Sequence, residues 1–599
     1  MSDSVPTGLS ARMAKLNPFK SKPRRDEDDE DRGEEIDSNT VAGGGHSALP
    51  TDITQYHLRV SPALKSFLIH EGALTEGEIE DGSEGLRALL DKPLTSPPAE
   101  LIDRSHPLPE YYISSSHNTY LMAHQLYGTS SAGAYETTLK AGARCIEIDA
   151  WDNPDDKNEP KVTHGFTLTS NISFRSVCET VRDVVDHEAG MPSVQGYASA
   201  PILVSLENHC DNNGQLRLVQ IMKEVWGDRL LSAPVREKGH EEQHGGPHVR
   251  LEELGSKIAV IVEYHFPGEV DSSSDSSDTS SSESEDEEEK RAREDYKARK
   301  RAAPPAIIIP ELAELGIYAQ SIKPGDGVWY ADGDFRDILP HHHLVNISET
   351  GLSSHLADVG RVADIAKHNA EHLMRVFPKG TRISSRNLSP LPFWSLGAQI
   401  CALNWQTFGA SMQLNDALFA GTAGYVLKPA ALRAGGGGVL PSRRRILRLR
   451  VAGATDVPLP RGGEVDDLKP YLTCTLLYPC HAGDGSAGEV KIKRKTAAYR
   501  RRRIPSLPRL GLLGGGGESP EPTDPVWDET LEWEFDDNEL VFVRMLIKND
   551  ENFSSNPVLC VATVRLMYVV SGWIFVRMLD LKGRETKCSL LVRFDMEDV

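Results

Sequence analysis

Long hydrophobic runs are missing from this sequence of 599 residues. Its most apolar stretch, VLCVATVRLMYVVSGWIFVRML at 558–579, is interrupted by Arg565 and Gly572, which predicts two strands rather than a membrane-spanning helix. The first 20 residues also lack the apolar core of a secretion signal. We therefore expect no transmembrane segment and a cytoplasmic protein.

Paired cysteines and an excess of positive charge are also missing. The eight cysteines form no CxxC pair, and several lie in apolar, strand-like runs where a free thiol packs as a small hydrophobe. That pattern favours a reducing compartment over a disulfide scaffold. The net charge of -22 disfavours nucleic acid as a partner. A chain of this length exceeds what one core supports, so several domains are expected.

Composition and periodicity divide the chain into seven parts. Strand-like and helical runs alternate in two of them, which predicts α/β halves with a parallel sheet. Short strands between Pro/Gly turns predict a β-sandwich at the end of the chain. The predicted parts are a disordered tail at 1–50, a helical region resembling a relic EF-hand at 51–105, α/β halves at 106–266 and 306–433, an acidic linker at 267–305, a glycine hinge at 434–442 and the sandwich at 443–599.

The stretch ARCIEIDAWD at 143–152 places two acids in one predicted strand. Glu147 and Asp149 are two positions apart, so both side chains point to the same face, where like charges repel unless a partner neutralises them. Polar residues also end the neighbouring strand-like runs, and in a parallel barrel such strand ends converge on the ligand site. The candidate set is His117, Asn118, Glu147, Asp149, His164 and Glu207.

The ligand chemistry of this set points to a hard cation. Three carboxylates and an amide oxygen, without cysteine, suit Ca²⁺ or Mg²⁺ better than Zn²⁺. Each residue alone has a plainer interpretation, because a carboxylate that ends a strand is often a surface or capping residue, and His117 alone can be a satisfied core histidine. Taken together, the residues favour a metal site.

Several long motifs resemble a known family. The stretches SSSHNTYLMAHQLYGTSSAGAYETTLKAGARCIEIDAWD, THGFTLTS and ILVSLENHC closely resemble the X region of eukaryotic phosphoinositide-specific phospholipase C. The stretches NISETGLSSHLADVGRVADIAKHNAEHLMRVFPKG and WSLGAQICALNWQTFGASMQLNDALFAGTAGYVLKPAALR resemble its Y region, and DPVWDETLEWEF resembles its C2 domain. The layout is similar to delta-like, fungal-type members, and we expect no pleckstrin domain in the short N-terminal part.

The resemblance implies a fold and an activity. The fold would be a distorted TIM barrel split into X and Y halves, followed by an all-β C2-type sandwich and preceded by a small helical region. The activity would be calcium-dependent hydrolysis of phosphatidylinositol or its phosphorylated forms to diacylglycerol and inositol phosphate through a cyclic phosphodiester, in signal transduction and lipid catabolism. We expect a monomer that associates peripherally with membranes.

The resemblance also assigns roles to residues. Calcium would be held by Asn118, Glu147, Asp149 and Glu207, with Glu147 also the general base. His164 would be the general acid, and His117 would donate to the phosphoryl oxygens. Substrate contacts would come from Ser348, Arg375 and Phe377, the last in place of a stacking Tyr. Leu126 and Leu168 would belong to an apolar ridge that enters the membrane.

The spacing of apolar residues predicts a helix near HLADVGRVADIAKHNAEHLMRVFP, and without the family Arg375 would be interpreted as a charge at the end of that helix. The run HHH at 341–343 is interpreted as a loop, because consecutive strand residues face alternate sides and cannot readily chelate one ion.

Three regions depart from the family pattern. Ile261 and Glu263 stand where the family has two lysines that bind ring phosphates, which disfavours selectivity for bisphosphorylated lipid. Thr381 replaces a Trp typical of the membrane ridge, which weakens interfacial anchoring. In the C2-like part the calcium loop keeps few acids, and a structural role is as plausible as calcium binding. The loop keeps Asp550 and Glu551, and Asp466 and Asp467 could serve from another loop.

The acidic run at 271–301 has two interpretations. It can cover the active site until an anionic membrane repels it, or it can be an inert spacer. Two rival functions stay open as well. A catalytically impaired lipid-binding scaffold of the same family is consistent with the lost lysines, and another barrel phosphodiesterase, such as a glycerophosphodiesterase, shares the acids and histidines but lacks the Y-like and C2-like parts.

Overall fold

The computed structural model describes 31, 33–34, 58–121, 130–163, 170–192, 199–236, 248–263, 307–322, 342–356, 361–378, 387–481, 487–501, 519–551 and 558–599. The acidic linker lies outside these residues. Across the described residues, every helix is too short or too polar to act as a transmembrane span. The eight cysteines are all free thiols, and seven of them are buried.

Among the described residues, the first α-helices along the chain are α1 (Pro62–His70) and α2 (Glu84–Leu90), each capped by a serine hydroxyl. They agree with the helices predicted at 51–105. Their apolar faces pack on the C-terminal sandwich, where Phe67 meets Trp573 edge-to-face with ring centroids 5.1 Å apart. Arg59, just before α1, donates to Asp456 at 2.8 Å and to Asp524 at 2.6 Å.

In the part of the chain that the structure describes, eleven strands form the first sheet. They are β1 (Tyr111–Ile113), β2 (Cys145–Trp151), β3 (Lys161–Val162), β4 (Ile172–Ser173), β5 (Ile202–His209), β6 (Ile258–Glu263), β7 (Gln320–Ile322), β8 (His343–Ser348), β9 (Leu373–Phe377), β10 (Ile400–Cys401) and β11 (Tyr425–Leu427). Strands β1, β2 and β5–β10 run parallel, and a parallel bridge between Ser115 and Cys145 closes them into a ring. The predicted TIM barrel is therefore confirmed.

Helices cover the outside of the barrel. They are α3 (Ala132–Lys140), α4 (Phe174–Ala189), α5 (Asn212–Trp226), α6 (Leu251–Leu254), α7 (Pro310–Ala313), α8 (Glu349–His355), α9 (Arg361–Glu371), α10 (Leu391–Trp394) and α11 (Ala410–Phe419). Helix α4 buries apolar residues spaced three and four apart, including Val177 and Val181, and the Ser173 hydroxyl accepts from the backbone of Ser176 at its start. These helices cover the outward face of β2, where Ile146 and Ile148 lie in the same cluster as Val177.

Two local predictions differ from the structure. The helical pattern predicted through HNAEHLMRVFP ends at Glu371, and the residues from Leu373 form strand β9. The loop interpretation of the histidine run is wrong for His343, which begins β8, while His341 lies outside the described residues. The predicted alternation is confirmed, because His342 lies 4.6 Å from the ring of His248 whereas His343 stacks on His372 at 4.0 Å.

The described residues of the C-terminal part form an antiparallel sandwich of eight strands. They are β12 (Arg443–Thr455), β13 (Pro470–His481), β14 (Ala487–Lys495), β15 (Val526–Asp537), β16 (Phe542–Asn549), β17 (Val558–Arg565), β18 (Trp573–Leu579) and β19 (Glu585–Asp598). Their order is β14-β13-β16-β17-β18-β19-β12-β15, and one buried apolar cluster fills the space between the two layers. Arg565 ends β17 and Gly572 precedes β18, so the apolar run at 558–579 forms two strands as predicted.

The barrel and the sandwich share a buried seam. Arg544 of β16 donates from Nε to the Gln413 side chain of α11 at 2.6 Å, and Arg544 is only 4% exposed. Nearby, the Tyr568 hydroxyl donates to the backbone carbonyl of Leu418 at 3.0 Å. The two domains therefore meet through polar contacts as well as apolar packing.

Candidate active site

Three carboxylates meet inside the barrel at the carboxyl ends of β2 and β5. Asp149 lies opposite Glu207 in the parallel pairing of these strands, and Glu147 precedes Asp149 on the same face. One oxygen from each of the three lies within 4.8 Å of the others, and Glu147 and Asp149 are buried. Ile146 and Ile148 face the helices instead, so strand alternation alone directs the acids inward.

A tight turn after β1 adds an amide to this cluster. Asn118 has a φ of +47°, in the left-handed region, and its backbone N–H donates to Glu147 Oε2 at 2.6 Å. The Tyr120 hydroxyl lies 2.6 Å from Asp149 Oδ2 and 3.1 Å from Asn118 Oδ1. The turn thus places the Asn118 side chain beside the acids.

Arg375 of β9 reaches the same point from the other half of the barrel. Its Nη2 donates to Glu147 Oε1 at 2.5 Å, and both side chains are 1% exposed. Its Nη1 donates to Asn346 Oδ1 of β8 at 3.1 Å, and its guanidinium carbon lies 5.6 Å from the centre of the Phe377 ring. The interpretation of Arg375 as a helix-end charge is therefore wrong, because the residue lies in a buried strand.

His117 stands next to the acids and is held by a second side chain. Its Nδ1 lies 2.8 Å from Asn404 Oδ1, and because a carbonyl oxygen can only accept, Nδ1 carries the hydrogen. Nε2 then faces the carboxylates, 3.9 Å from Glu147 Oε2. Burial and the charge of Arg375 lower the pKa of His117 to about 4, which favours the neutral ring.

Burial dominates the electrostatics of the carboxylates. It raises the pKa of Glu147 to about 7, although the charge of Arg375 offsets part of the increase. Burial and the neighbouring acids raise the pKa of Asp149 well above its usual value. Burial acts in the same direction on Glu207, but the hydrogen bond and charge of His209, the charge of Arg375 and a hydrogen bond with Glu147 together outweigh it and lower the pKa. The cluster therefore concentrates negative charge where water stabilises it poorly.

The remaining predicted residues have mixed outcomes. Ser348 ends β8, and its hydroxyl accepts from the backbone N–H of Gly351 at 3.1 Å, which caps α8. That helix cap explains the serine without a substrate. Leu126, His164 and Leu168 lie outside the described residues, and so does Thr381.

Strand β6 carries the departures from the family pattern into the barrel. Ile261 is 2% exposed and joins Ala259 in the buried cluster that lines the barrel interior, whereas Val260 and Val262 join the outer cluster. By the same alternation, Glu263 at the carboxyl end of β6 belongs to the inward set. An apolar side chain and an acid thus occupy the two positions where the family pattern has lysines.

The acids of the sandwich do not form a comparable cluster. Asp550 lies 3.4 Å from Arg500, and Glu551 accepts from the Asn549 side chain. Asp466 and Asp467 lie in a short 3-10 turn. Among the described residues, the barrel acids are the one group of three or more potential ligands close enough to share an ion.

Sequence reasoning missed the residues that hold the site together. Tyr120, Asn346 and Asn404 each bond one of the predicted residues, namely Asp149, Arg375 and His117. The hydroxyl of Tyr120 had a signal in the sequence, because it closes the motif SSSHNTY. Asn346 and Asn404 had none, since a single asparagine in an apolar run has many possible partners.

Comparison with known proteins follows the same division of the chain. Residues 104–264 match the X domain of phosphatidylinositol-specific phospholipase C, and residues 312–431 match its Y domain. The chain is 36% identical over 362 residues to 1-phosphatidylinositol 4,5-bisphosphate phosphodiesterase 1 of Candida albicans, which covers 55% of this chain and 31% of the relative. It is 28% identical over 512 residues to the human delta-1 phosphodiesterase, which covers 83% of this chain and 61% of the relative.

A solved structure supports the fold. The crystal structure of L. pealei PLC21 superposes with a TM-score of 0.63 at 24% identity, over 93% of this chain and 65% of the other. The chain spans about a third to three-fifths of the length of the two curated relatives. With its X and Y domains, and with fungal and delta-type proteins among its relatives, the chain belongs to the phosphatidylinositol-specific phospholipase C family.

Proposed function

We propose that the protein is a calcium-dependent phosphoinositide phospholipase C. The observation that carries this proposal is the convergence of three carboxylates, a histidine and a buried arginine at the carboxyl ends of the barrel strands. Strand ends are where this architecture builds its active sites. The named relatives are 1-phosphatidylinositol 4,5-bisphosphate phosphodiesterases, which supports the same reaction class.

The donor set fits calcium. Three carboxylates and the amide oxygen of Asn118 are hard oxygen ligands, and Asp149 Oδ1 is buried without a hydrogen-bond partner among the described residues. A divalent cation would supply that oxygen with a partner and offset the charge that burial concentrates there. We assign the ion to Asn118, Glu147, Asp149 and Glu207. When bound, it lowers the pKa of a substrate hydroxyl and neutralises charge on the phosphate.

The chain's own groups then carry the proton transfers. Glu147 takes the proton of the inositol 2-hydroxyl, whose oxygen attacks the neighbouring phosphorus while the bond from phosphorus to the diacylglycerol oxygen breaks. His164 gives its proton to that leaving oxygen. Water then opens the cyclic phosphodiester with the two roles reversed, which releases inositol phosphate and restores both groups.

His117 and Arg375 are placed to act on the phosphate. Arg375 presents a fixed, buried guanidinium beside Glu147, and this geometry suits an anionic oxygen that develops charge. With Nδ1 donating to Asn404, His117 can donate from Nε2 only when the ring is protonated. A bound phosphodiester favours that state, because its negative charge stabilises the imidazolium.

The substrate preference follows from β6. Glu263 at the mouth repels a ring phosphate, and the buried Ile261 offers it no charge, so we propose that plain phosphatidylinositol is accepted at least as well as its bisphosphate. The same two residues favour the second candidate, a catalytically impaired lipid-binding scaffold. Against the scaffold stands the site itself, since Asn404 and Tyr120 still hold His117 and Asp149 in place.

The setting of the enzyme is part of the proposal. We propose a cytoplasmic monomer that docks peripherally on membranes through Leu126 and Leu168. The C2-like sandwich serves as a structural partner of the barrel, because Asp550 and Glu551 are already engaged with Arg500 and Asn549.

Hydrolysis of labelled vesicles tests the function. Phosphatidylinositol and its 4,5-bisphosphate are supplied in matched vesicles, with calcium or with a chelator, and released inositol phosphates are identified. We expect turnover of both lipids with calcium and none with chelator. Vesicle binding without turnover of either lipid would support the scaffold. A strong preference for the bisphosphate would contradict the assignment of Ile261 and Glu263.

A further inference from the structure

The seam between barrel and sandwich holds a third piece of the chain. Asp31 belongs to the acidic run DEDDEDRGEE at 26–35. Its Oδ1 accepts a hydrogen bond from Arg544 Nη1 at 2.6 Å, and Lys491 Nζ lies 3.5 Å from its Oδ2. Arg544 is 4% exposed, so the cation that Asp31 contacts has little access to water. The sequence predicts a disordered tail at 1–50, and this contact of Asp31 differs from that prediction.

The residues after Asp31 also fit the seam closely. Gly33 has a φ of +60°, and a Cβ added there would lie 2.5 Å from the carbonyl carbon of Phe408. The ring of Phe408 in turn packs on Gly583 of the sandwich, where an added Cβ would lie 2.9 Å from the ring. The backbone N–H of Glu34 donates to the carbonyl of Leu581 at 3.0 Å. A residue other than glycine at 33 would therefore collide with backbone and be strained.

These contacts span both domains. Phe408 and Gln413 belong to the barrel, whereas Arg544, Lys491 and Leu581 belong to the sandwich. The ion pair of Asp31, the close fit of Gly33 and the backbone hydrogen bond of Glu34 thus all hold the same short segment in the seam. A solvated acidic tail would not make these contacts. A charge-assisted hydrogen bond to a buried guanidinium is among the stronger polar contacts in proteins.

We propose that the seam is a docking site for a segment of the pattern acid-x-Gly-acid, and that its occupant is 31–34 of this same chain. The stretch from 34 to 58 can span about 80 Å when extended, so the tether does not prevent docking. Tethering also raises the effective concentration of the segment to the order of millimolar, which favours it over an untethered partner. The docked segment acts as a strap that couples barrel and sandwich.

Limited trypsin digestion of the full chain tests the proposal. Arg25 and Arg32 lie in the same tail, so the bond after Arg25 is an internal control for the bond after Arg32. Each cleavage rate is divided by the rate of the same bond in a synthetic peptide covering 20–40. We expect the bond after Arg32 to be cleaved about tenfold more slowly than in the peptide, and the bond after Arg25 at the peptide rate. Equal rates for both bonds would overturn the proposal.

Variants separate docking from folding. Gly33→Ala should abolish the protection, whereas Gly44→Ala in the same tail should leave it unchanged; each variant is compared with a peptide of its own sequence. Lys491→Gln should weaken the protection without any change in the tail. Arg544→Gln should remove it, but this buried change can also unfold the sandwich, so Gly33→Ala decides. Protection that survives Gly33→Ala would refute the docking.

Competition and dilution identify the occupant. An excess of a peptide covering 26–38 should displace the tail and restore cleavage after Arg32, while a scrambled peptide should not. Intramolecular docking also predicts that the protection does not change on dilution. Protection that is lost on dilution would assign the site to the tail of a second copy and would contradict the intramolecular strap.

Discussion

Arg375 donates a hydrogen bond to Glu147 inside the barrel, with 2.5 Å between Nη2 and Oε1. The two residues come from β9 and β2, on opposite sides of the acidic linker, and both are 1% exposed. The proposed base and the proposed phosphate contact are therefore already partners. Glu147 is thus shared between the guanidinium and the proposed calcium ion.

Arg375→Met should destabilise the protein more in chelator than in calcium. Removing one partner of a buried ion pair costs about 3–5 kcal/mol, because the other charge stays buried. Calcium would give the Glu147 carboxylate a second cation and reduce that loss. Thermal unfolding with and without calcium measures the difference, and Arg182→Met on the exposed face of α4 is the control. An equal loss in both conditions would show that Glu147 does not bind the ion.

Asp149→Asn should weaken calcium binding by about two orders of magnitude, because the site loses one of three charges. In chelator the same variant should be more stable than wild type, since a buried carboxylate beside two others is replaced by a neutral amide. Calorimetric titration and thermal unfolding measure the two effects. Asp155→Asn, in the exposed loop after β2, should change neither. Unaltered calcium affinity in Asp149→Asn would remove this residue from the ligand set.

Glu263→Lys should raise the ratio of bisphosphate to phosphatidylinositol hydrolysis by about tenfold, because a charge-assisted pair replaces a repulsion. The ratio is measured in mixed vesicles at fixed total charge, so that general attraction to the surface cancels. Glu252→Lys makes the same charge change at an exposed position of α6 and is the control. If both variants shift the ratio equally, the preference reflects net charge rather than the mouth of the barrel.

Lys428→Met should remove a pH dependence of stability. Burial lowers the pKa of Lys428 well below 10.5, so the unfolded chain binds the proton more tightly than the folded one. The unfolding free energy of wild type should therefore rise by up to about 1.4 kcal/mol per pH unit, from the lowered value up to 10.5. The backbone carbonyl of Asn369 accepts hydrogen bonds from both Lys428 and Gln399. When the lysine is lost, the bond from Gln399 remains, so this carbonyl still has a donor.

Denaturant unfolding across that pH range measures the slope. The difference between wild type and Lys428→Met should grow as the pH falls through this range, because folding must release the proton that the unfolded lysine holds. Lys140→Met, at an exposed position of α3, should keep the wild-type slope. A slope that Lys428→Met does not change would mean that this lysine titrates normally in the folded protein.

Deleting 271–301 should raise activity on anionic vesicles if the acidic linker covers the active site. Replacing the same residues by a Gly/Ser sequence of equal length separates charge from length. We expect the replacement to behave like the deletion, because the proposed inhibition is electrostatic and should weaken with salt. Unchanged activity in both variants would support the inert spacer.

The sequence was informative where local periodicity decides the geometry. Alternation in β2 predicted that Glu147 and Asp149 share a face, and the structure places Ile146 and Ile148 on the other. Long motifs predicted the barrel and the sandwich. The helical pattern before β9 was less reliable, because its last residues, including Arg375, are buried by the sheet and not by the helix.

Contacts between distant segments were beyond prediction. Asn404 bonds His117 across a separation of 287 residues, and Asp31 bonds Arg544 across 513. Neither partner has a local signal, because an asparagine or an aspartate is compatible with many environments. Only the closed barrel and the seam bring these pairs together.

The closure of the barrel also bears on how the chain is made. Strand β1 pairs with β10 and β11, the residue Ser115 just after β1 bridges to β2, and β11 ends at Leu427. During synthesis, the first half of the barrel therefore has unpaired strand edges until the second half has left the ribosome. Pairing between strands so distant in sequence is slow. Arg375 lies in β9 and is therefore also synthesised with the second half of the barrel. A nascent or truncated chain would thus lack a complete site, and activity would emerge in one step when the ring closes.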